Sequence, residues 1–235
     1  MSERRGQRRG GPSRGGVLTR AAGAVLPALG RITVSGAEHL ADGGGRGLIL
    51  TANHTSLADP VLMLGVLDRL GVRPVVLVTA GLWRVPVLGR ALTREGYVPV
   101  HRGTARAGDA LVAAGAALAA GRSVLLYPEG GLPHYRASAD RPPRALKSGA
   151  VRLAEATGAS LLPIGHAGAR RVASGSAAKQ LAGWATAPLR RPRVHVHFGT
   201  PVRHDQDGGL ETALAEAWSS AVRALDPTEV PDLYR

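Results

Sequence analysis

Short β-prone runs alternate with helical stretches from about residue 31 to residue 224, and this alternation leaves few architectures open. Runs at Arg31–Val34, Gly47–Ala52, Pro74–Val78, Tyr97–Val100, Ser123–Tyr127, Ser160–Ile164 and Arg193–Phe198 read as strands. The stretches Pro60–Leu70, Val85–Thr93, Ala105–Ala120, Ala145–Ala156 and Gly209–Ala224 read as helices. Strands and helices taken in turn predict an α/β fold, a single domain with a mostly parallel or mixed central sheet flanked by helices. A chain of 235 residues suffices for one such domain with a real core, and no long spacer divides it. With one Phe, three Trp and four Tyr, that core must be built from Ala, Val and Leu, which argues against nucleic-acid binding by aromatic stacking.

The amino-terminal segment departs from the pattern. Residues 1–16 hold five Arg and five Gly with almost nothing apolar, too little to offset the entropy of ordering, so a disordered basic arm is expected there. Residues 17–30 place Val17, Leu18, Ala21, Val25, Leu26 and Leu29 at roughly helical spacing, a candidate amphipathic membrane-surface helix. Pro27 and Gly30 interrupt its pattern, so a short helix packed on the domain is the competing reading. The folded domain is then expected over 31–235.

The formal charge is +13, from 30 Lys+Arg against 17 Asp+Glu, and Lys147 and Lys179 are the only lysines. Such an excess attracts phospholipid surfaces, phosphorylated substrates or nucleic acid, and its sign alone does not choose among them. A compositional bias toward Arg, Ala, Gly and Pro would produce it equally. The absence of cysteine removes disulfides, thiolate nucleophiles and Cys-based zinc sites. No run approaches the roughly 20 apolar residues that span a bilayer, and the Arg-rich start lacks the apolar centre of a signal peptide. The expectation is a cytoplasmic protein, peripheral on the inner face of the cell membrane.

The chemistry concentrates in Asn53-His54-Thr55-Ser56-Leu57-Ala58-Asp59-Pro60. His54 follows an apolar run and should emerge at the carboxyl end of a strand. Asp59 before Pro60 reads as a helix N-cap, and a start at Thr55 or Ser56 with Asp59 in the first turn is the alternative. A separation of five residues in a continuous helix would point the two side chains about 140° apart, so a turn must bring them together. A carboxylate holding an imidazole fixes its tautomer and stabilises the imidazolium, the arrangement a general base needs. Alone, such a pair arises often by chance, with Asp59 merely capping and His54 merely filling a turn.

Three later segments add to it: Gly96-Tyr97-Val98-Pro99-Val100-His101-Arg102-Gly103, Tyr127-Pro128-Glu129-Gly130 and Leu162-Pro163-Ile164, with Ala145-Leu146-Lys147-Ser148-Gly149-Ala150 leading into the last helix before the fourth block. In order and spacing these four blocks resemble the glycerolipid acyltransferase family that includes 1-acylglycerol-3-phosphate acyltransferases, whose hallmark is His, four residues, then Asp. The resemblance covers residues 53 to 164. It implies a glycerol-3-phosphate acyltransferase-like fold in which His54 deprotonates an acceptor hydroxyl, Asp59 orients His54, and the hydroxyl attacks an acyl thioester directly. It further implies that Arg102 holds the acceptor's phosphate and that Glu129 and Gly130 belong to the acceptor-binding surface. The thioester would be acyl-CoA or acyl carrier protein, used as a co-substrate with no cofactor and no metal. The acceptor would be a lysophospholipid, 1-acyl-sn-glycerol 3-phosphate giving phosphatidate.

One departure bears on the acceptor. Members of that family usually continue the third block with Thr and Arg, whereas this chain reads Gly131-Leu132-Pro133, so a second phosphate-binding Arg is missing from its expected place. Arg136 or Arg141 in the following loop, read as Leu132–Arg144, would be substitutes, and another lipid or glycolipid acceptor is the alternative. A basic membrane or nucleic-acid binding module without catalysis is the rival from another class. His195 and His197 share a strand face at a metal-ligand spacing, but no third ligand accompanies them and ordinary strand histidines are expected. His134 and His166 have no assigned part. The glycines of Gly43-Gly44-Gly45-Arg46-Gly47 precede their strand instead of following it, so no phosphate-cradling nucleotide loop is expected.

Overall fold

The computed structural model describes residues 16–43, 47–132, 141–143, 145–205 and 209–225. Its strands are β1 (Arg31–Ser35), β2 (Ile49–Ala52), β3 (Val75–Thr79), β4 (Val98–Val100), β5 (Val124–Leu126), β6 (Leu161–Ala167) and β7 (Arg193–Phe198). Its α-helices are α1 (Val17–Leu29), α2 (Asp59–Arg69), α3 (Pro86–Glu95), α4 (Asp109–Ala119), α5 (Gly149–Thr157), α6 (Ala169–Val172), α7 (Ala177–Arg190) and α8 (Gly209–Leu225). The strands form one sheet in the order β1-β7-β6-β2-β5-β3-β4. Every neighbouring pair is parallel except β6 with β7, so β1 and β7 run against the other five strands and the sheet is mixed.

Burial explains why the middle strands read as near-continuous apolar runs. Every residue of β2, β5 and β6 is buried, as expected of parallel strands covered on both faces. Successive side chains alternate between the faces: Leu50 and Leu125 join a core with Leu26, Leu67 and Leu92 of α1, α2 and α3, while Ile49 and Val124 join Ala114 and Leu153 of α4 and α5. The result is a sheet between two helical layers. Both edges are blunted. β1 is mostly exposed, and β4 carries Pro99, which removes an N–H from the outer edge.

The seven expected strands are present, with β6 running three residues past its expected end. The expected helix Ala105–Ala120 divides into a 3-10 turn, Ala105–Gly108, followed by α4. Helices α6 and α7 were not expected. α7 contains Gly183 and Pro188, and its Leu181 and Leu189 are exposed, so its apolar residues do not trace a buried stripe. α1 buries Thr19, Ala22, Leu26 and Leu29 within the domain and leaves Val17 and Val25 on its outer side. The basic arm, apart from Gly16, and most of the expected loop Leu132–Arg144 lie outside the described residues, Arg136 among them.

One close backbone approach lies between β6 and α8. A methyl group on Gly165 would fall on the main chain of Ala217 and Trp218, so β6 tolerates no side chain where α8 crosses it. Trp218 is fully buried in the cluster this crossing creates, with Ala167, Ala221 and Val222.

A second feature, partly buried, ties β1 to β7. His195 Nδ1 lies 2.7 Å from Thr33 Oγ1, and Ser35 Oγ lies 2.8 Å from both His195 Nε2 and His197 Nδ1. Burial lowers the pKa of His195 below its ordinary 6.5, and His197 lowers it further. Burial likewise lowers that of His197, as do His39 and, less, Arg223, against an opposing pull from Glu38. Among the described residues no group of three or more His, Cys, Asp or Glu side chains is placed to hold a metal.

Two outcomes are expected. Gly165→Ala should destabilise the protein by about 2 kcal/mol or more, because the overpacked contact is backbone and has no rotamer to relax, and thermal unfolding measures this. Protonation of His195 and His197 is disfavoured in the folded chain, so their contribution is complete above the unfolded value near 6.5 and is lost as pH falls below it. The melting temperature should therefore drop between pH 7.5 and 5.5, and the slope over that window should flatten in His195→Gln.

Candidate active site

β2 lies between β5 and β6, and all three run parallel, so the segments leaving their carboxyl ends emerge side by side. In an open α/β sheet this is where a crevice forms and where chemistry is placed. The topology thus gathers three of the four sequence blocks. His54 comes two residues after β2, Glu129 three residues after β5, and Leu162-Pro163-Ile164 lies inside β6, paired with Leu50, Thr51 and Ala52. That fourth block is buried strand and supplies the neighbour on which β2 is registered.

The loop after β2 folds around one carboxylate oxygen. Asp59 Oδ2 accepts from the Thr55 N–H at 2.6 Å and the Ser56 N–H at 2.8 Å, and lies 2.9 Å from His54 Nδ1. Asp59 is the first residue of α2 with Pro60 behind it, so it sits within the first turn and Ala58 occupies the cap position. The expectation of Asp59 as the cap itself is corrected. Ser56 Oγ accepts from the Ala58 N–H at 3.1 Å, an intervening turn that carries the chain round before the helix begins. Main-chain donors and the helix amino terminus both favour a carboxylate here. Asp59 is fully buried, whereas the His54 side chain retains 13% of its exposure. Because a carboxylate only accepts, the hydrogen of His54 belongs on Nδ1, and Nε2 is left with its lone pair.

The segment after β5 covers the other side of the imidazole. The Tyr127 ring stacks on His54 with centroids 4.4 Å apart and planes inclined by 29°. The His54 N–H donates to Glu129 Oε1 at 2.7 Å. The Tyr127 phenol is pushed well above its usual pKa of 10, by burial first and then by the Asp59 carboxylate, so it remains a neutral ring at working pH. Gly130, at φ 76°, closes the turn by donating its N–H to Tyr127 O at 3.1 Å. Arg102 follows β4 and is exposed, and its Nη1 lies 3.6 Å from where a Gly131 methyl would be. Of the five residues expected from the sequence, His54, Asp59, Glu129 and Gly130 are linked by contacts through the loop after β2 and the turn Tyr127–Gly130, and Arg102 lies beside Gly131. Glu129 is engaged with the main chain of His54, so it braces the base as well as lining the site.

Two residues of this region had no part in the sequence reading. His166, near the end of β6, pairs with Asn53 three times: its N–H donates to Asn53 Oδ1 at 2.8 Å, its carbonyl accepts from Asn53 Nδ2 at 3.1 Å, and its Nε2 lies 2.7 Å from Asn53 O. Arg170 of α6 is buried and donates from Nη1 to Thr55 O at 2.7 Å. Ser56 Oγ also donates to Ala173 O at 2.5 Å. The polar loop from residue 53 to 58 is thus pinned from β6 and α6. The available signal for His166 was its place two residues beyond the fourth block; for Arg170 there was none, one Arg among many. His195 and His197 lie on β7, hydrogen-bonded to hydroxyls of β1, and take no part in these contacts.

A family model described as Acyltransferase matches residues 31–167, more than half of the chain and the whole span of the four blocks. The fold is similar to that of the 1-acyl-sn-glycerophosphate (LPA) acyltransferase PlsC from Thermotoga maritima. That structure superposes with a TM-score of 0.64 at 20% sequence identity, over 88% of this chain and 78% of that one. No curated protein matches the chain. With the His54–Asp59 pair, the strand order and the matched span in agreement, the chain belongs to the acyltransferase family.

Proposed function

We propose that the protein moves a fatty acyl group from the thioester of acyl-CoA or acyl carrier protein to the free hydroxyl of a lysophospholipid, 1-acyl-sn-glycerol 3-phosphate, giving phosphatidate. The observation that carries this reading is the His54 Nδ1 contact with the buried Asp59 Oδ2, which leaves the Nε2 lone pair to serve as the base. His54 Nε2 takes the acceptor's hydroxyl proton as the oxygen attacks the thioester carbonyl. The tetrahedral intermediate then collapses, the carbon–sulfur bond breaks, and the imidazolium returns the proton to the departing thiolate. Asp59 stabilises the imidazolium between these steps. No nucleophilic side chain is required, since the acceptor itself attacks. Arg102, exposed beside Gly131, supplies a guanidinium to the acceptor's phosphate.

The same reading places the protein on the anionic inner face of the cell membrane. Among the described residues no helix is long and apolar enough to cross a bilayer. α1 and α3 pack together, and their outer surfaces carry exposed Val17, Val25 and Val87 among exposed Arg20, Arg90 and Arg94. Apolar side chains set among arginines suit the headgroup boundary of an anionic leaflet.

His54→Ala should leave a folded protein, since the ring is partly exposed, and should lower acyl transfer by roughly 100-fold to 10,000-fold. Asp59→Asn keeps an oxygen for the Thr55 and Ser56 N–H groups but removes the charge, and should slow transfer by roughly 100-fold or more. Acceptor-dependent release of free thiol, with circular dichroism as the folding control, measures both; near wild-type turnover by His54→Ala would reject the mechanism. Cosedimentation should show binding to anionic vesicles that weakens with salt, and little to neutral ones. Val87→Asp should reduce it further.

A further inference from the structure

Only two lysines occur in the chain, and one of them stands at the crevice. The Lys147 N–H donates to Pro128 O at 2.8 Å, which fastens the segment before α5 to the turn Tyr127–Gly130. Along that turn, Tyr127 stacks on His54, Glu129 holds the His54 N–H, and Gly130 faces Lys147. A methyl group on Gly130 would lie 3.2 Å from Lys147 Cγ, and one on Gly131 would lie 3.6 Å from Arg102 Nη1. The Lys147 stem thus lies against Gly130, and the Arg102 guanidinium lies beside Gly131. Both cations are exposed, and neither forms an ion pair among the described residues.

We infer that Lys147 and Arg102 form a two-cation clamp across Gly130–Gly131 that takes the phosphomonoester of the acceptor. The inference rests on the proposed acyl transfer for what the phosphate is attached to. A phosphomonoester carries between one and two negative charges at neutral pH and three acceptor oxygens, enough for a forked guanidinium and an ammonium together. Glycine at both positions leaves the oxygens free to approach the main chain. The arrangement also answers the missing Arg after Gly130, since Lys147 reaches the same turn from the far side of the loop. A donor such as acyl-CoA also bears phosphate, and kinetics separate the two sources.

Lys147→Gln should raise the KM for lysophosphatidate about tenfold or more, the loss expected of one charge-assisted contact. Lys147→Arg should restore most of it. The KM for the thioester donor and for a monoacylglycerol acceptor, which lacks phosphate, should not move. A rise confined to the donor KM, or no rise for either substrate, would overturn the clamp. A second measurement does not depend on turnover. Glycerol 3-phosphate should protect Lys147 from amine-selective acetylation, read by mass spectrometry, while Lys179 serves as the internal control and chloride at equal ionic strength does not protect. Equal labelling of Lys147 with and without glycerol 3-phosphate rejects the clamp. Protection of Lys147 in a protein that turns over no thioester would keep the clamp and reject the acyl-transfer reading instead.

Discussion

One oxygen atom organises the site. Asp59 Oδ2 gathers two main-chain N–H groups and the His54 ring, and those contacts determine the path of the chain from the end of β2 to the start of α2. A buried carboxylate is costly unless its partners are in place, so the loop and the charge require each other. The helix starts where it does because Asp59 is in its first turn and Pro60 needs no N–H partner there. The same contacts set the tautomer of His54. Fold and chemistry thus depend on the same few hydrogen bonds.

The supports around this oxygen come from two parallel neighbours. From β5 come the Tyr127 ring and Glu129; from β6 and α6 come His166, Arg170 and the Ala173 carbonyl. A base used in proton transfer must be held within a fraction of an ångström and a narrow angle of its working geometry. A stacked ring restricts the imidazole on one face, and the carboxylate restricts its rotation. Of six buried side-chain polar atoms with no hydrogen bond among the described residues, four, Thr55 Oγ1, Asp59 Oδ1, Tyr127 Oη and His166 Nδ1, belong to this small region, and Gln180 Oε1 and Trp218 Nε1 lie elsewhere. Such atoms raise the free energy of the folded chain, and their concentration around the His54–Asp59 pair marks where the structure departs from what stability alone would select.

The parts of this arrangement that could be read from the chain were the local ones. His54 and Asp59 are five residues apart, so their meeting is a matter of one turn, and Gly130 is punctuation in the same sense. The strands were legible because burial on both faces leaves continuous apolar runs at β2, β5 and β6. The contribution of Arg170 was not legible, because its partner is a main-chain carbonyl 115 residues away. The His166–Asn53 pairing spans 113 residues and leaves no local trace either. Helix α7 escaped for a different reason: it packs through little more than Ala187 and Trp184, so nothing in its sequence has the period of a half-buried helix. The placement of Arg102 beside Gly131 depends on β4 and β5 flanking β3, a sheet order that spacing alone does not disclose.

That sheet order also accounts for the division of labour across the crevice. The uncharged and acidic groups proposed to handle the proton, His54, Asp59 and Tyr127, follow the carboxyl ends of β2 and β5, where burial strengthens each hydrogen bond. The cations Arg102 and Lys147 stand farther out, one after the edge strand β4 and one before α5, exposed to solvent. The short turn from Tyr127 to Gly131 touches both groups, stacking on the imidazole at one end and meeting Lys147 and Arg102 at the other. In the proposed acyl transfer, an anion bound at its outer end would be tethered to a base held at its inner end. The distance between phosphate and hydroxyl in the proposed acceptor would then be matched against a spacer of five residues, so that selection of the acceptor and positioning of its hydroxyl would be one event.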